Sequence, residues 1–170
     1  MLDGVCTGEG LIVTGDVNWT DYHYSAKGRI IGDSVNNELA LVVRYVDPLN
    51  FYWAGLGCWK HRVSISKVVN GTYQELVFAG TISEVVPGKD YTIEVRAVGD
   101  LIELYVDGVL ELSVHDGSLP NGGIGIRPYS SHVELDYVDA VKPPQAGFPI
   151  WVIPVVLIGI GTVYAISQRK

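Results

Sequence analysis

The sequence predicts an all-β protein: an antiparallel β-sandwich over residues 1–141, a short linker, and one C-terminal transmembrane α-helix. Three observations predict it. Apolar and polar residues alternate with a period of two through most of the first 141 residues. Twenty glycines and eight prolines punctuate the chain too often for long helices. From Phe148 to Ser167 the chain carries no charge at all, and about 20 apolar residues are what a helix needs to cross a bilayer core.

The strands follow in order. Glu38–Tyr45, Phe51–Cys58, Arg62–Val69, Tyr73–Ala79 and Tyr91–Val98 read as strands, as do Leu101–Val106, Val109–Val114, Gly123–Arg127 and His132–Val141. Tyr91, Ile93, Val95 and Ala97 form one face of their strand, and Ile102, Leu104 and Val106 continue it on the next. Ile93, Val95, Ile102, Leu104, Val106, Leu112 and Leu135 are the expected core. Asn70-Gly71 and Asp107-Gly108 supply the positive-φ residues that type I′ hairpin turns require, and Gly99-Asp100 marks a further turn. Short strands at this spacing make a sandwich of two sheets.

The tail divides into three parts. Residues 142–147, with Pro143-Pro144, read as a short stiff linker. Residues 148–167 read as the membrane span, with Trp151 as an interface anchor, and 168–170 as a tail ending in Arg169-Lys170. Residues 1–141 hold nine basic and nineteen acidic side chains, a net charge of −10. That balance disfavours nucleic acid as a partner. The flanking charges place the C-terminus in the cytoplasm and the domain outside the cell membrane, single-pass. The opening residues, MLDGVCTGEG, have neither a basic nor an apolar signal region. An outside domain then implies a removed signal or a segment of a longer protein; the competing reading is a tail-anchored protein with its domain in the cytoplasm.

The residue order Trp19-Thr20-Asp21-Tyr22, Leu41-Val42-Val43-Arg44-Tyr45, Asn50-Phe51-Tyr52 and Leu104-Tyr105-Val106-Asp107-Gly108 continues through Asp116 and Leu119-Pro120-Asn121-Gly122-Gly123-Ile124-Gly125-Ile126. It closes with Val133-Glu134-Leu135-Asp136-Tyr137-Val138. Over Leu11–Val141 this order resembles the concanavalin A-like jelly roll, in its laminin-G-like and 3-keto-disaccharide-hydrolase-like branches. The resemblance implies a jelly-roll sandwich whose relatives bind glycans, hydrolyse polysaccharides or serve in adhesion. Such domains open with a strand upstream of the Gly4–Leu11 region, and only ten residues precede Leu11 here. The expectation is therefore a missing or borrowed opening strand.

Candidate chemistry is sparse. Glu134-Leu135-Asp136-Tyr137-Val138-Asp139 resembles the E-x-D-x-x-E signature of retaining glucanases, with Asp in the last place. On a regular strand Glu134 and Asp139 face opposite sides, so an outer-face acidic strand is the expectation. Asp33, Asn36, Asn37 and Glu38 offer the oxygen ligands that calcium prefers, although turns are rich in Asp and Asn for their own reasons. No cofactor beyond that possible calcium is implied. His23, His61, His115 and His132 have no zinc spacing, and no G-x-S-x-G elbow is present. For carbohydrate the candidates are Tyr22, Tyr24, Trp53, Trp59 and Tyr129, with Arg127 and His132 near in sequence. Asn18-Trp19-Thr20 and Asn70-Gly71-Thr72 are glycosylation sequons. Cys6 and Cys58 form a disulfide if the domain meets an oxidising compartment; closing about 52 residues stabilises by on the order of 4 kcal/mol.

These features favour a membrane-anchored, non-catalytic module for glycan binding or for assembly with other envelope or membrane proteins. The other classes are a polysaccharide-acting glycoside hydrolase and an accessory single-pass subunit of a membrane complex.

Overall fold

The computed structural model describes residues 2–5, 9–31, 37–57, 62–79 and 85–141. The linker and the expected transmembrane helix lie outside the described residues, as do Cys6, Asp33, Asn36, Cys58 and Trp59. Among the described residues no helix is long and apolar enough to cross a membrane.

Twelve strands form two antiparallel sheets. They are β1 (Leu2–Val5), β2 (Ile12–Thr14), β3 (Tyr22–Ile31), β4 (Glu38–Asp47), β5 (Asn50–Gly57), β6 (Arg62–Val69), β7 (Thr72–Ala79), β8 (Tyr91–Val98), β9 (Leu101–Val106), β10 (Val109–His115), β11 (Gly123–Tyr129) and β12 (His132–Val141). One sheet runs β1-β12-β3-β8-β9-β10 and the other β2-β11-β4-β5-β6-β7. The expected strands are all present, shifted by two residues at most at any end. Asn70-Gly71 and Asp107-Gly108 take positive φ at both turn positions, as the hairpins require.

The core lies between the sheets. Ile93, Val95, Ile102, Leu104, Val106, Leu112 and Leu135 all belong to it, joined by Leu39, Leu41, Tyr52, Leu56 and Ile65 from the facing sheet. The alternation read on β8 and β9 is the alternation found: the apolar members point inward and Glu94, Arg96, Glu103 and Tyr105 outward.

Three corrections to the sequence reading matter for function. β3 does not appear among the expected strands: YHYSAKGRII alternates strictly, but its inward side holds Ala26 and Gly28 between Tyr24 and Ile30, so the apolar half of the pattern is weak. The opening segment is not loose. β1 pairs with β12 from Leu2↔Leu135 to Val5↔His132, and Glu9 bridges to Tyr129, so an opening strand exists and edges the first sheet. Finally, β12 is irregular. A bulge between Leu135 and Tyr137 resets its alternation, so Glu134 stands opposite Arg29 and Asp139 opposite Ser25, both on the outer face. Those positions are four strand residues apart, about 13 Å, against the roughly 5–9.5 Å that separates the carboxyls of glycosidase pairs. Glu134 is bound to Arg29 at 2.7 Å, while Lys27 reaches Asp90 and Asp136 at 3.4 Å each. The outer acidic strand is thus zipped to its neighbour by ion pairs.

The loop between β10 and β11 is fixed by Asp116. Its carboxylate accepts from Lys67 Nζ at 2.6 Å and from the Tyr52 hydroxyl at 2.6 Å, and also from the Ser118 backbone N–H. Burial raises the Asp116 pKa, but the hydrogen bonds from Lys67, Ser118 and Tyr52 outweigh it and hold the carboxyl well below the usual range. A carboxyl depressed in the folded state adds stability that is complete above its unfolded value, near pH 4, and is lost as pH falls toward the folded value. Asp116→Asn is expected to cost on the order of 1–3 kcal/mol at neutral pH and to flatten the stability profile below pH 4. Urea melts between pH 2.5 and 7 check this; an unchanged acid limb would show that Asp116 is not the group responsible.

Candidate functional site

The second sheet has an outer face whose side chains form their own cluster, separate from the core. Ala40 and Val42 on β4 and Phe51 and Trp53 on β5 are buried there, with Leu11, Tyr45 and Val68 packed against them. Alternation along β4 and β5 sends Leu39, Leu41, Val43, Tyr52 and Ala54 to the core and these residues outward. Tyr45, Phe51, Trp53 and Tyr73 form a continuous aromatic row, with ring centroids 5.9, 5.5 and 5.7 Å apart in turn. Cross-strand register sets the row, because Phe51 pairs with Val68 and Val68 with Tyr73.

Arg127 joins this row from β11. Its guanidinium lies 4.4 Å from the Trp53 ring centre and 5.4 Å from that of Tyr129. It is also ion-paired twice. Nε donates to Glu9 at 2.9 Å, and a terminal nitrogen donates to Glu38, which is only 2% exposed. Burial alone would lower the Arg127 pKa; Glu38 and Glu9 reverse that and raise it. At the other flank, Arg62 lies 3.9 Å from the Phe78 ring centre and donates to both oxygens of Glu75 at 3.1 and 3.2 Å. Between the flanks the floor is made of small residues, since Arg127, Ala40, Gly55, Ser64 and Phe78 stand side by side across five strands. Gly55 is required there: a Cβ would run into the β4 backbone at Leu39 and Ala40.

Trp53 is 3% exposed, and its indole Nε1–H is buried without a hydrogen-bond partner. The rim is open. Tyr129 is 38% exposed, Phe78 49% and Tyr73 53%. The face therefore combines a desolvated cation–aromatic–carboxylate centre with accessible aromatic planes around it. Such a surface can stack against an apolar ring face and hydrogen-bond polar groups at its edge.

Of the residues singled out by sequence, Trp53, Arg127 and Tyr129 are brought together here, and Glu38 joins them as the buried partner of Arg127. Tyr22 and Tyr24 face the inter-sheet core instead. Burial pushes the Tyr22 phenol up to about 12 and raises Tyr24 as well, and the Tyr22 hydroxyl accepts from the Arg44 backbone N–H at 2.6 Å. His132 opens β12 in the first sheet, across the turn from Tyr129. Asn37 is buried next to Glu38. Among the described residues no three His, Cys, Asp or Glu side chains gather to hold a metal ion. Asn18 and Asn70 are both exposed, Asn70 at its hairpin tip. The sequence reading did not single out Tyr73, Phe78, Arg62 or Glu75. Only strand register puts them beside Trp53 and Ser64, although the outward positions of β6 and β7 were available as a signal.

The fold is a jelly-roll β-sandwich of the kind found in lectins and carbohydrate-binding modules. Among solved structures the chain is similar to a carbohydrate-binding module, CBM66, from Bacillus subtilis, with 21% identity, a TM-score of 0.71 and coverage of 81% of this chain and 84% of that one. It is also similar to CG-16, a homodimeric agglutinin from chicken liver, at 11% identity and a TM-score of 0.58 over 78% and 98% of the two chains. The GH43 protein BlXynB from Bacillus licheniformis matches at 12% identity and a TM-score of 0.59, over 78% of this chain and 32% of that one. No family model matches the chain, and no curated protein matches its sequence.

Proposed function

We propose that this chain is a glycan-binding module, non-catalytic, displayed outside the cell on a single C-terminal membrane anchor. The observation that carries the binding role is the Arg127–Trp53 stack with its buried Glu38 partner, ringed by the exposed rings of Tyr73 and Tyr129. A pyranose ring offers an apolar C–H face to an aromatic plane and hydroxyls to charged partners, which is the chemistry this surface presents. The likeness to a carbohydrate-binding module and to an agglutinin supports the same reading.

A glycan array probed with the full chain in detergent tests the binding role. Tyr129→Ala and Tyr73→Ala are each expected to weaken the bound glycans about tenfold, as loss of an aromatic contact does, without changing the circular-dichroism spectrum. An array without signal refutes glycan binding.

The anchor rests on the uncharged run Phe148–Ser167 and the Arg169-Lys170 flank. On intact cells external protease is expected to remove the domain. Native protein is expected to carry a Cys6–Cys58 bridge and sugar on Asn70, with Asn18 as a second acceptor. Freely alkylated thiols together with a protected domain would reverse the topology.

A further inference from the structure

The outer face of the second sheet carries more negative charge than positive, and each of its two guanidiniums is ion-paired to a carboxylate. Among the described residues Glu9, Glu38 and Glu75 stand there against Arg62 and Arg127. Arg127 gives its Nε to Glu9 and a terminal nitrogen to Glu38, while Arg62 faces both oxygens of Glu75. Arg127 thus has no free fork with which to capture a carboxylate or sulfate, while Arg62 is held to Glu75 through one terminal nitrogen and keeps its buried Nε–H unpaired. An anionic group arriving here would meet three carboxylates and displace one from its cation, in a domain that already carries net −10.

The same face keeps donors in reserve, the Arg62 Nε–H and the neutral indole of Trp53. The Trp53 indole N–H is buried and unpaired, and an indole nitrogen can only donate. A buried donor without an acceptor is costly to leave unmade, so an oxygen that reached this group would gain a hydrogen bond. Tyr73 packs on Trp53 at 5.7 Å and is half exposed, so a side-chain rotation there can open the path.

From the ion pairing of both arginines, the excess of carboxylates and the reserved indole donor, we infer that this face selects uncharged, hydroxyl-rich glycans and rejects their acidic counterparts, with a ligand oxygen accepting from Trp53 Nε1. The inference rests on the glycan-binding reading and specifies its ligand class.

The test uses the full chain in neutral-lipid nanodiscs and an array of neutral oligosaccharides, each printed beside the same glycan bearing a uronate, sialate or sulfate. Neutral members are expected to bind at least about tenfold more tightly than their acidic partners, and the gap is expected to narrow as salt rises, because exposed like-charge repulsion is screened. Trp53→Phe keeps a ring and removes the donor. It is expected to weaken neutral ligands about fivefold, the scale of one hydrogen bond, and to leave the neutral-to-acidic ratio unchanged. Glu9→Gln combined with Glu75→Gln is expected to raise binding of the acidic set at least about threefold, by removing two like charges. Equal or tighter binding of the acidic glycans overturns the inference while leaving glycan binding intact. Silence across both sets overturns the glycan reading itself, and this inference with it.

Discussion

Arg44→Met is expected to lower the melting temperature of the sandwich by about 10 °C. Arg44 is fully buried, and its guanidinium donates to three backbone carbonyls on three separate connections: Leu119 at 3.0 Å, Thr20 at 3.3 Å and Gly99 at 2.5 Å. No carboxylate forms a salt bridge with it among the described residues. It acts as an internal cation that collects carbonyl oxygens from the segments before β3, after β8 and before β11. Its backbone explains how a charged residue enters the interior. Pairing of β4 with β11 skips from Val43 to Tyr45, leaving Arg44 as the extra residue of a bulge with φ of +51°. The bulge turns its side chain inward where strict alternation would have sent it out. Gly122 completes the fit, since a Cβ there would run into the Arg44 backbone.

Methionine would leave those carbonyls facing an apolar chain. Losing several charge-assisted bonds from a buried site costs on the order of 3–5 kcal/mol, and a domain of this size loses roughly 3 °C per kcal/mol. Arg44→Lys is expected to recover less than half, because a single ammonium cannot reach three divergent acceptors as a planar fork does. Thermal melts of the three proteins decide it. A shift under about 3 °C for methionine would mean that the three connections are held by other contacts.

The second large effect is expected from Arg127→Leu. The variant leaves Glu38 buried with its charge uncompensated, which typically costs about 3–5 kcal/mol. Glu9, half exposed, turns to solvent at little cost. Arg127→Leu combined with Glu38→Leu is expected to be more stable than Arg127→Leu alone, because the stranded charge is gone. The double-mutant cycle then gives a coupling of more than about 2 kcal/mol. Strict additivity would show that the pair contributes nothing as a pair. Both variants are also expected to lose glycan binding, since the cation over Trp53 is absent in each. Stability and binding therefore separate in the double variant, which recovers the first and not the second.

The two arginines illustrate what could be read in advance and what could not. The strands from Glu38 onward were legible in two ways: β8 and β9 bury one face and so write a period of two into the sequence, while β4 and β5 bury both faces and read as apolar runs bounded by turns. Asn70-Gly71 and Asp107-Gly108 were legible because few residues other than glycine and asparagine or aspartate take positive φ cheaply. β3 was hidden, since Ala26 and Gly28 face inward where strands pack closely and leave no hydrophobic mark. Trp53, Arg127 and Tyr129 could be named as candidates by residue type, although Trp53 and Arg127 stand 74 positions apart and only register brings them together.

The sequence by itself determined the fold class, most of the strands and the balance of charge, because these depend on local periodicity, turn chemistry and composition. The tertiary structure decided the rest. Bulges in β4 and β12 reverse which side a residue faces, and nothing local announces them: each is a compromise between one strand and its neighbours. Arg44 thereby becomes an interior cation, and Glu134 and Asp139 come to share the outer face. The pairing of Arg127 with Glu38 and its stacking on Trp53 depend on strand order across a sheet. That order is set by long-range packing, so one sequence pattern fits several arrangements and only the assembled sandwich selects among them.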